Sequence, residues 1–279
     1  MVPLLLTLLQ FVNPGFEFLL APRVALAPLP TTPGLSAVIG NPAGLLGQGQ
    51  GLLFSYQRQP LGAYRSLAAG RWNAWGLMVD YQNFGPMEYQ DETPNDEGGL
   101  TFTPFALHAR LGRAFRLDPE VAGGLAVSVV YQRIYDQEYS GLFLSGGVVY
   151  APARLPMLRL GFAFENLGPR IRVAPQVDMN PPLRVAAALA VARARWEATL
   201  LARHTTGYAD GGWLELGGFV GWQVHPWLFL RLGYLYGNDL YPLQADLRIQ
   251  RGRLALRLGW LPTVEGPGQT YRMALELHP

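Results

Sequence analysis

One pattern recurs along almost the whole chain: apolar residues alternate with polar or small ones at a period of two. From Met157 to Asn166, Leu158, Leu160, Phe162 and Phe164 share one face, with Arg159, Gly161, Ala163 and Glu165 on the other. From Leu243 to Gln250, Leu243, Ala245, Leu247 and Ile249 oppose Gln244, Asp246, Arg248 and Gln250. This is the signature of strands with two unlike faces, not of helices. The segments start near Gly51, Gly62, Asn73, Thr101, Val121, Ser140, Met157, Leu183, Arg195, Trp213, Trp227, Leu243, Arg253 and Thr270. Leu183–Ala192 would suit an Ala-rich helix on propensity alone. Pro181 and Pro182 before it, and a tight return at Ala194, favour a strand.

Charged residues make up only 15% of the 279 residues, against about 25% in ordinary globular chains. Water therefore touches less of this protein than usual. Yet no apolar run reaches the roughly 20 residues of a spanning helix. A closed sheet resolves the conflict, because it satisfies every backbone polar group without such a run. The expected fold class is all-β, a transmembrane antiparallel β-barrel of about 14 strands.

The connections follow a rhythm that a soluble sandwich does not predict. The even-numbered ones, near Arg71, Arg116–Glu120, Ala151–Pro156, Ala194, His225 and Arg251, are short. Several odd-numbered ones are long: Gln82–Leu100, Leu167–Pro182, His204–Gly212 and Leu261–Gln269. Outer-membrane barrels have short periplasmic turns and longer outer loops. An even strand count then puts both ends of the barrel on the periplasmic side. The expected location is the bacterial outer membrane, with its lipid as the surrounding partner.

Residues 1–13 form a candidate signal segment, with an apolar stretch at Leu4–Leu9 but no basic residue before it. Residues 51–279 are the barrel. Between them, residues 14–50 are rich in Pro and Gly and poor in polar side chains, and FEFLLAPRVALA at Phe16–Ala27 suits a short helix. A solvated tail of that character is unfavourable. An N-terminal hatch or plug in the barrel is expected.

NPAGL at Asn41–Leu45 resembles the N-terminal hatch motif of FadL-like outer-membrane proteins, with Asn41, Pro42, Ala43 and Gly44 as its residues. FEFLLAPRVALA resembles the opening of the PorV/PorQ branch. Val79–Phe115, with its Tyr-rich strand, acidic loop and Phe-led next strand, is similar to the PorQ pattern, as is FAFENLGPRI at Phe162–Ile171. The resemblance covers most of the chain and implies a 14-stranded barrel with a hatch. In the PorV/PorQ branch it further implies work with the type IX secretion system, by binding secreted cargo or partner proteins at the cell surface. In the FadL branch it implies transport of hydrophobic small molecules.

The faces assigned to the lumen carry many charges. They include Asp80, Arg110, Arg159, Glu165, Arg195, Glu197, Arg231, Asp246, Arg248 and Arg257, with Arg184, Arg203, Arg253, Arg272, Glu215 and Glu276. Two readings follow: an anion-attracting pore, or paired charges that fill a narrow interior and grip the hatch. All 22 basic residues are Arg, and there is no Cys. A net charge of +2 gives no nucleic-acid signal. The four His stand at 108, 204, 225 and 278 without metal-ligand spacing, so no metal or other cofactor is expected. No nucleophile-elbow motif is present, so no enzymatic role is expected. GLLGQGQG at Gly44–Gly51 lacks the Lys of a phosphate loop and precedes a strand, so it reads as flexible backbone. The acidic residues Glu88, Asp91, Glu92, Asp96 and Glu97 read as a solvated outer loop.

Overall fold

A computed structural model describes residues 29–46, 50–88, 101–135, 137–169, 171–174, 177–179, 181–206, 212–237, 242–262 and 269–278. The signal segment, the FEFLLAPRVALA stretch, residues 47–49 and the four acidic residues 91, 92, 96 and 97 lie outside these. Among the described residues no helix is long and apolar enough to cross a membrane.

Fourteen strands close into one barrel. They are β1 (Gly51–Arg58), β2 (Tyr64–Trp72), β3 (Trp75–Asn83), β4 (Phe105–Asp118), β5 (Val121–Ile134), β6 (Gln137–Tyr150) and β7 (Leu158–Leu167). The second half holds β8 (Arg184–Arg193), β9 (Trp196–Thr205), β10 (Trp213–His225), β11 (Leu228–Tyr236), β12 (Leu243–Arg251), β13 (Leu254–Leu261) and β14 (Thr270–Leu277). Each strand pairs antiparallel with its sequence neighbours. Closure comes from β1 on β14, running from Leu52 opposite Leu277 to Arg58 opposite Tyr271. No edge strand remains, and apart from one seam the backbone donors and acceptors of the wall face a partner strand.

The period-two pattern maps onto the wall. On β1, Gly51, Leu53, Ser55 and Gln57 are buried inward while Leu52, Phe54 and Tyr56 are exposed outward. The same alternation makes the outer wall a belt of exposed Leu, Val, Phe and Trp. In water such a continuous apolar surface would drive aggregation; in lipid it is the required one. Phe105 and Phe115 on β4 both face outward. About 33 Å of strand separates them, or about 25 Å of membrane normal at ordinary tilt, which is the height of an outer-membrane apolar band. The fold is that of a bacterial outer-membrane barrel.

Aromatic rings mark both rims of this belt. At the long-loop end Tyr56, Tyr64, Tyr81, Phe105 and Tyr131 follow one another at ring distances of 6.0, 6.1, 6.0 and 5.9 Å. At the short-turn end Trp196 and Trp222 stack at 5.2 Å and 5°. Amphipathic rings suit the membrane–water interface.

The short turns include Asn73–Ala74, Ala194–Arg195 and Gly252–Arg253. Positive φ at Asn73 (53°), Ala194 (52°) and Gly252 (58°) gives them the twist that two-residue hairpins need. These turns correct two of the expected lumen residues. Arg195 and Arg253 sit in turns, exposed, and do not line the lumen. The alternation in the sequence runs one residue past the strand end, where the turn breaks it.

Register shifts at Arg116/Asp118 on β4 and Gln223/His225 on β10 fall beside short turns; a third interrupts the wall toward the long loops. The β6–β7 ladder shifts register between Leu144 and Gly146, opposite Leu167 and Phe164. Asn166 sits in the shift at φ 63°. Its side chain donates to the Pro182 carbonyl at 3.2 Å, and its N–H donates to Ser145 Oγ at 3.3 Å. Above Leu144, β6 has no partner on β7. A short ribbon, Ile171–Ala174 paired with Val177–Met179, packs beside β6 there.

The lipid-facing assignment has a direct consequence. Leu200 is 64% exposed in the middle of β9. Leu200→Arg is expected to destabilise the barrel in phospholipid vesicles by about 2–4 kcal/mol, read by reversible denaturant unfolding. A neutral effect would mean that this face meets water.

Candidate functional site

The barrel interior is not empty. Leu29–Leu46 runs inside it as two short 3-10 turns, Gly34–Val38 and Pro42–Leu46. Leu35, Val38, Ile39 and Leu45 pack on the inward residues Leu53, Leu67, Ala69, Met78 and Ala114. Leu29 packs on the opposite wall, with Ala186, Ala188, Leu201, Phe219 and Leu235. The segment therefore bridges the lumen with apolar contacts to both sides.

Its height is set by glycines. A Cβ on Gly76 would lie 2.9 Å from Val38 Cγ2, and one on Gly161 would lie 2.5 Å from the Pro30 carbonyl carbon. At Gly124 and Gly147 a Cβ would overlap the Ala43 backbone and the Asn41 amide. All four stand at the short-turn ends of their strands, so the segment sits in that half of the barrel.

Each residue of the Asn-Pro motif has a physical task. Asn41 is 1% exposed. Its Nδ2 lies within reach of the Pro30 carbonyl at 2.8 Å and of the Val148 and Phe162 carbonyls at 3.2 Å each. Its Oδ1 accepts the Ala43 N–H at 3.0 Å. One side chain thus ties the segment to itself and to the β6–β7 wall. Pro42 opens the second turn, and Ala43 packs into the notch at Gly124. Gly44 passes so close to the Thr32 carbonyl and Ala37 that a side chain would not fit.

Arg110, from β4, is the second anchor. Its Nη1 donates to the Ile39 carbonyl at 2.8 Å and its Nη2 to the Gly40 carbonyl at 2.6 Å. A buried guanidinium satisfied by two carbonyls at the end of a turn costs less than a free one.

Several other lumen charges pair across strands. Arg65 and Asp80 form a fork, Nε to Oδ1 at 2.8 Å and Nη2 to Oδ2 at 2.5 Å, both side chains 1% exposed. Arg203 grips Glu215 through Nε and Nη2. Arg184 faces Glu165 at 3.8 Å. Arg231 reaches Glu197 at 3.3 Å over Gly221, where a Cβ would strike the Glu197 side chain. Glu276 holds Arg257 at 2.8 Å and Arg248 at 3.4 Å. Asp246 is buried on β12, next to Arg231 in the ladder, and Arg159 is exposed near the short-turn mouth. Arg65 and Arg71, both inward and buried, escaped the sequence reading because β2 alternates small residues rather than polar ones.

The interior is divided. Near the long-loop end, β4–β6 present an apolar cluster of Ala106, Val130, Tyr139 and Phe143, joined by Phe84 and Ile134. This cluster lies beside the unpaired stretch of β6. The Arg–Glu pairs of β9–β14 lie on the opposite side. Among the described residues, no group of three or more His, Asp or Glu could hold a metal ion.

No protein-family model matches the chain, and no curated protein matches it significantly. Solved structures do. The toluene transporter TodX of Pseudomonas putida superposes with a TM-score of 0.63 at 10% identity, over 91% of this chain and 96% of the other. A FadL homologue of Pseudomonas aeruginosa gives 0.58 at 11% identity, over 89% and 95%. The monoaromatic hydrocarbon channel CymD gives 0.57 at 10%, over 88% and 92%. The fold is that of the FadL-type outer-membrane channels. These comparisons bear out the fold that the FadL-like resemblance implies; they do not confirm the PorV/PorQ branch.

The anchoring can be tested directly. Arg110→Ala with Asn41→Ala is expected to weaken seating of the segment by about 1–3 kcal/mol per lost buried contact. Hydrogen exchange should rise over residues 29–46 while the barrel strands stay protected. Equal exchange in the variant and the parent would contradict these anchors.

Proposed function

We propose that this protein lets hydrophobic small molecules cross the outer membrane, with Leu29–Leu46 as the described part of a hatch. The observation that carries this reading is the apolar cluster of Phe84, Ile134, Tyr139 and Phe143 inside the long-loop end. It places apolar side chains inside the long-loop end, across from the Arg–Glu pairs of β9–β14. An apolar solute gains about 25 cal/mol for each Å² it buries there. Onward movement has two routes: past the hatch, or sideways through the β6–β7 seam, where the ladder is interrupted. The solute is passed on unchanged.

The likeness to hydrocarbon channels supports this reading over secretion partnership, the first expectation from the sequence. No described feature specifically favours cargo binding.

The test is uptake by cells that express the barrel, using a radiolabelled aromatic hydrocarbon and a radiolabelled long-chain fatty acid. Uptake above the empty vector is expected for at least one of them. Phe143→Asp should cut that uptake at least about ten-fold, because a charge in an apolar site is costly, while the barrel stays folded and heat-modifiable on gels. No uptake, together with crosslinked recovery of a secretion machinery, would return the protein to the secretion reading.

A further inference from the structure

The two rims of the barrel differ in charge. At the short-turn end six arginines are exposed on the outer wall or in the turns: Arg113, Arg154, Arg193, Arg195, Arg251 and Arg253. Among the described residues none of the six has an ion-pair partner. Arg113, Arg193 and Arg251 stand at outward register positions, opposite Trp75, Trp196 and Leu254. The Arg113 guanidinium lies 4.9 Å above the Trp75 ring.

The carboxylates at this end are fewer: Asp118 and Glu120 share the rim with the six arginines and each accepts a backbone N–H, which leaves an excess of positive charge. Glu120 accepts the Ala153 N–H at 2.8 Å, and Asp118 accepts the Glu120 N–H at 3.2 Å. Glu197 and Glu276 face the lumen and pair with its arginines. The long connection between β3 and β4 has the opposite character: it carries Glu88, Asp91, Glu92, Asp96 and Glu97 and no basic residue.

Uncompensated guanidinium groups beside interfacial indoles need an anion at headgroup depth. Guanidinium suits phosphate, because its planar fork donates two parallel hydrogen bonds. We propose that the short-turn rim is a binding surface for the phosphates of anionic phospholipids in the leaflet it meets. Tryptophans set the depth, and arginines select the charge. Such a contact would also bias which way the barrel sits, since the acidic loops avoid the same headgroups.

Trp72, Trp75, Trp196, Trp222 and Trp227 all stand at this end, five of the seven tryptophans. Tryptophan quenching by brominated lipid therefore reads this surface. The full chain would be folded into phosphatidylcholine vesicles containing brominated phosphatidylglycerol, or brominated phosphatidylcholine as the reference. Quenching should give phosphatidylglycerol a relative association about three- to five-fold above phosphatidylcholine at low salt. The preference should fall toward parity at about 0.5 M salt, where screening is short-ranged. It should fall likewise in R113Q/R193Q/R251Q. If that variant does not fold, R195Q/R253Q, changed only in turns, should lower the preference in part. Parity in the parent protein, or an undiminished preference in the folded variants, would overturn the proposal.

Discussion

In lipid, a backbone N–H or C=O without a partner costs several kcal/mol. The pairing of β1 with β14 meets that constraint for the whole molecule, because it removes the two edges that thirteen hairpin pairings leave. Everything else follows from closure. Once the sheet is a cylinder, each strand has one face for lipid and one for the interior. The outward face becomes apolar and the inward face must fill a narrow space.

That space is filled in two ways. Toward the short turns, glycines open notches for the protein's own segment, and Asn41 and Arg110 satisfy the polar backbone that the segment brings with it. On the rest of the wall, arginines cross to carboxylates on adjacent strands or, for Arg231 and Glu197, over one intervening strand. Breaking one member of a buried pair leaves an uncompensated charge worth about 3–5 kcal/mol, so these pairs resist loosening. The apolar cluster at the long-loop end has no such constraint. A mobile hydrophobic molecule is therefore easiest to accommodate there.

Strand number and facing were legible in the sequence because a period of two is local: Leu158 to Phe164 already shows which side is out. The long and short connections told the two ends of the barrel apart for the same reason. Turn residues were less legible. Arg195 and Arg253 continue the alternation in sequence but leave the wall in space, since Ala194 and Gly252 turn the chain with positive φ. The β6–β7 shift was also hidden, because it depends on Ser145 and Pro182, which are distant from Asn166 in sequence. The seating of Leu29–Leu46 was expected only in outline. Gly76, Gly124, Gly147 and Gly161 read as ordinary strand glycines until the strands are aligned, when they fall at one end facing one segment.

The chain has no cysteine, so a designed pair reports that seating without background. Val38 and Gly76 approach closely enough, with Val38 Cγ2 2.9 Å from an ideal Cβ on Gly76, for a disulfide between V38C and G76C. Oxidation of the folded V38C/G76C barrel should form that bond nearly completely, while V38C/L77C, whose second cysteine faces lipid, should not. Free thiols in V38C/G76C after oxidation, or equal bonding in both variants, would contradict a segment held inside the barrel.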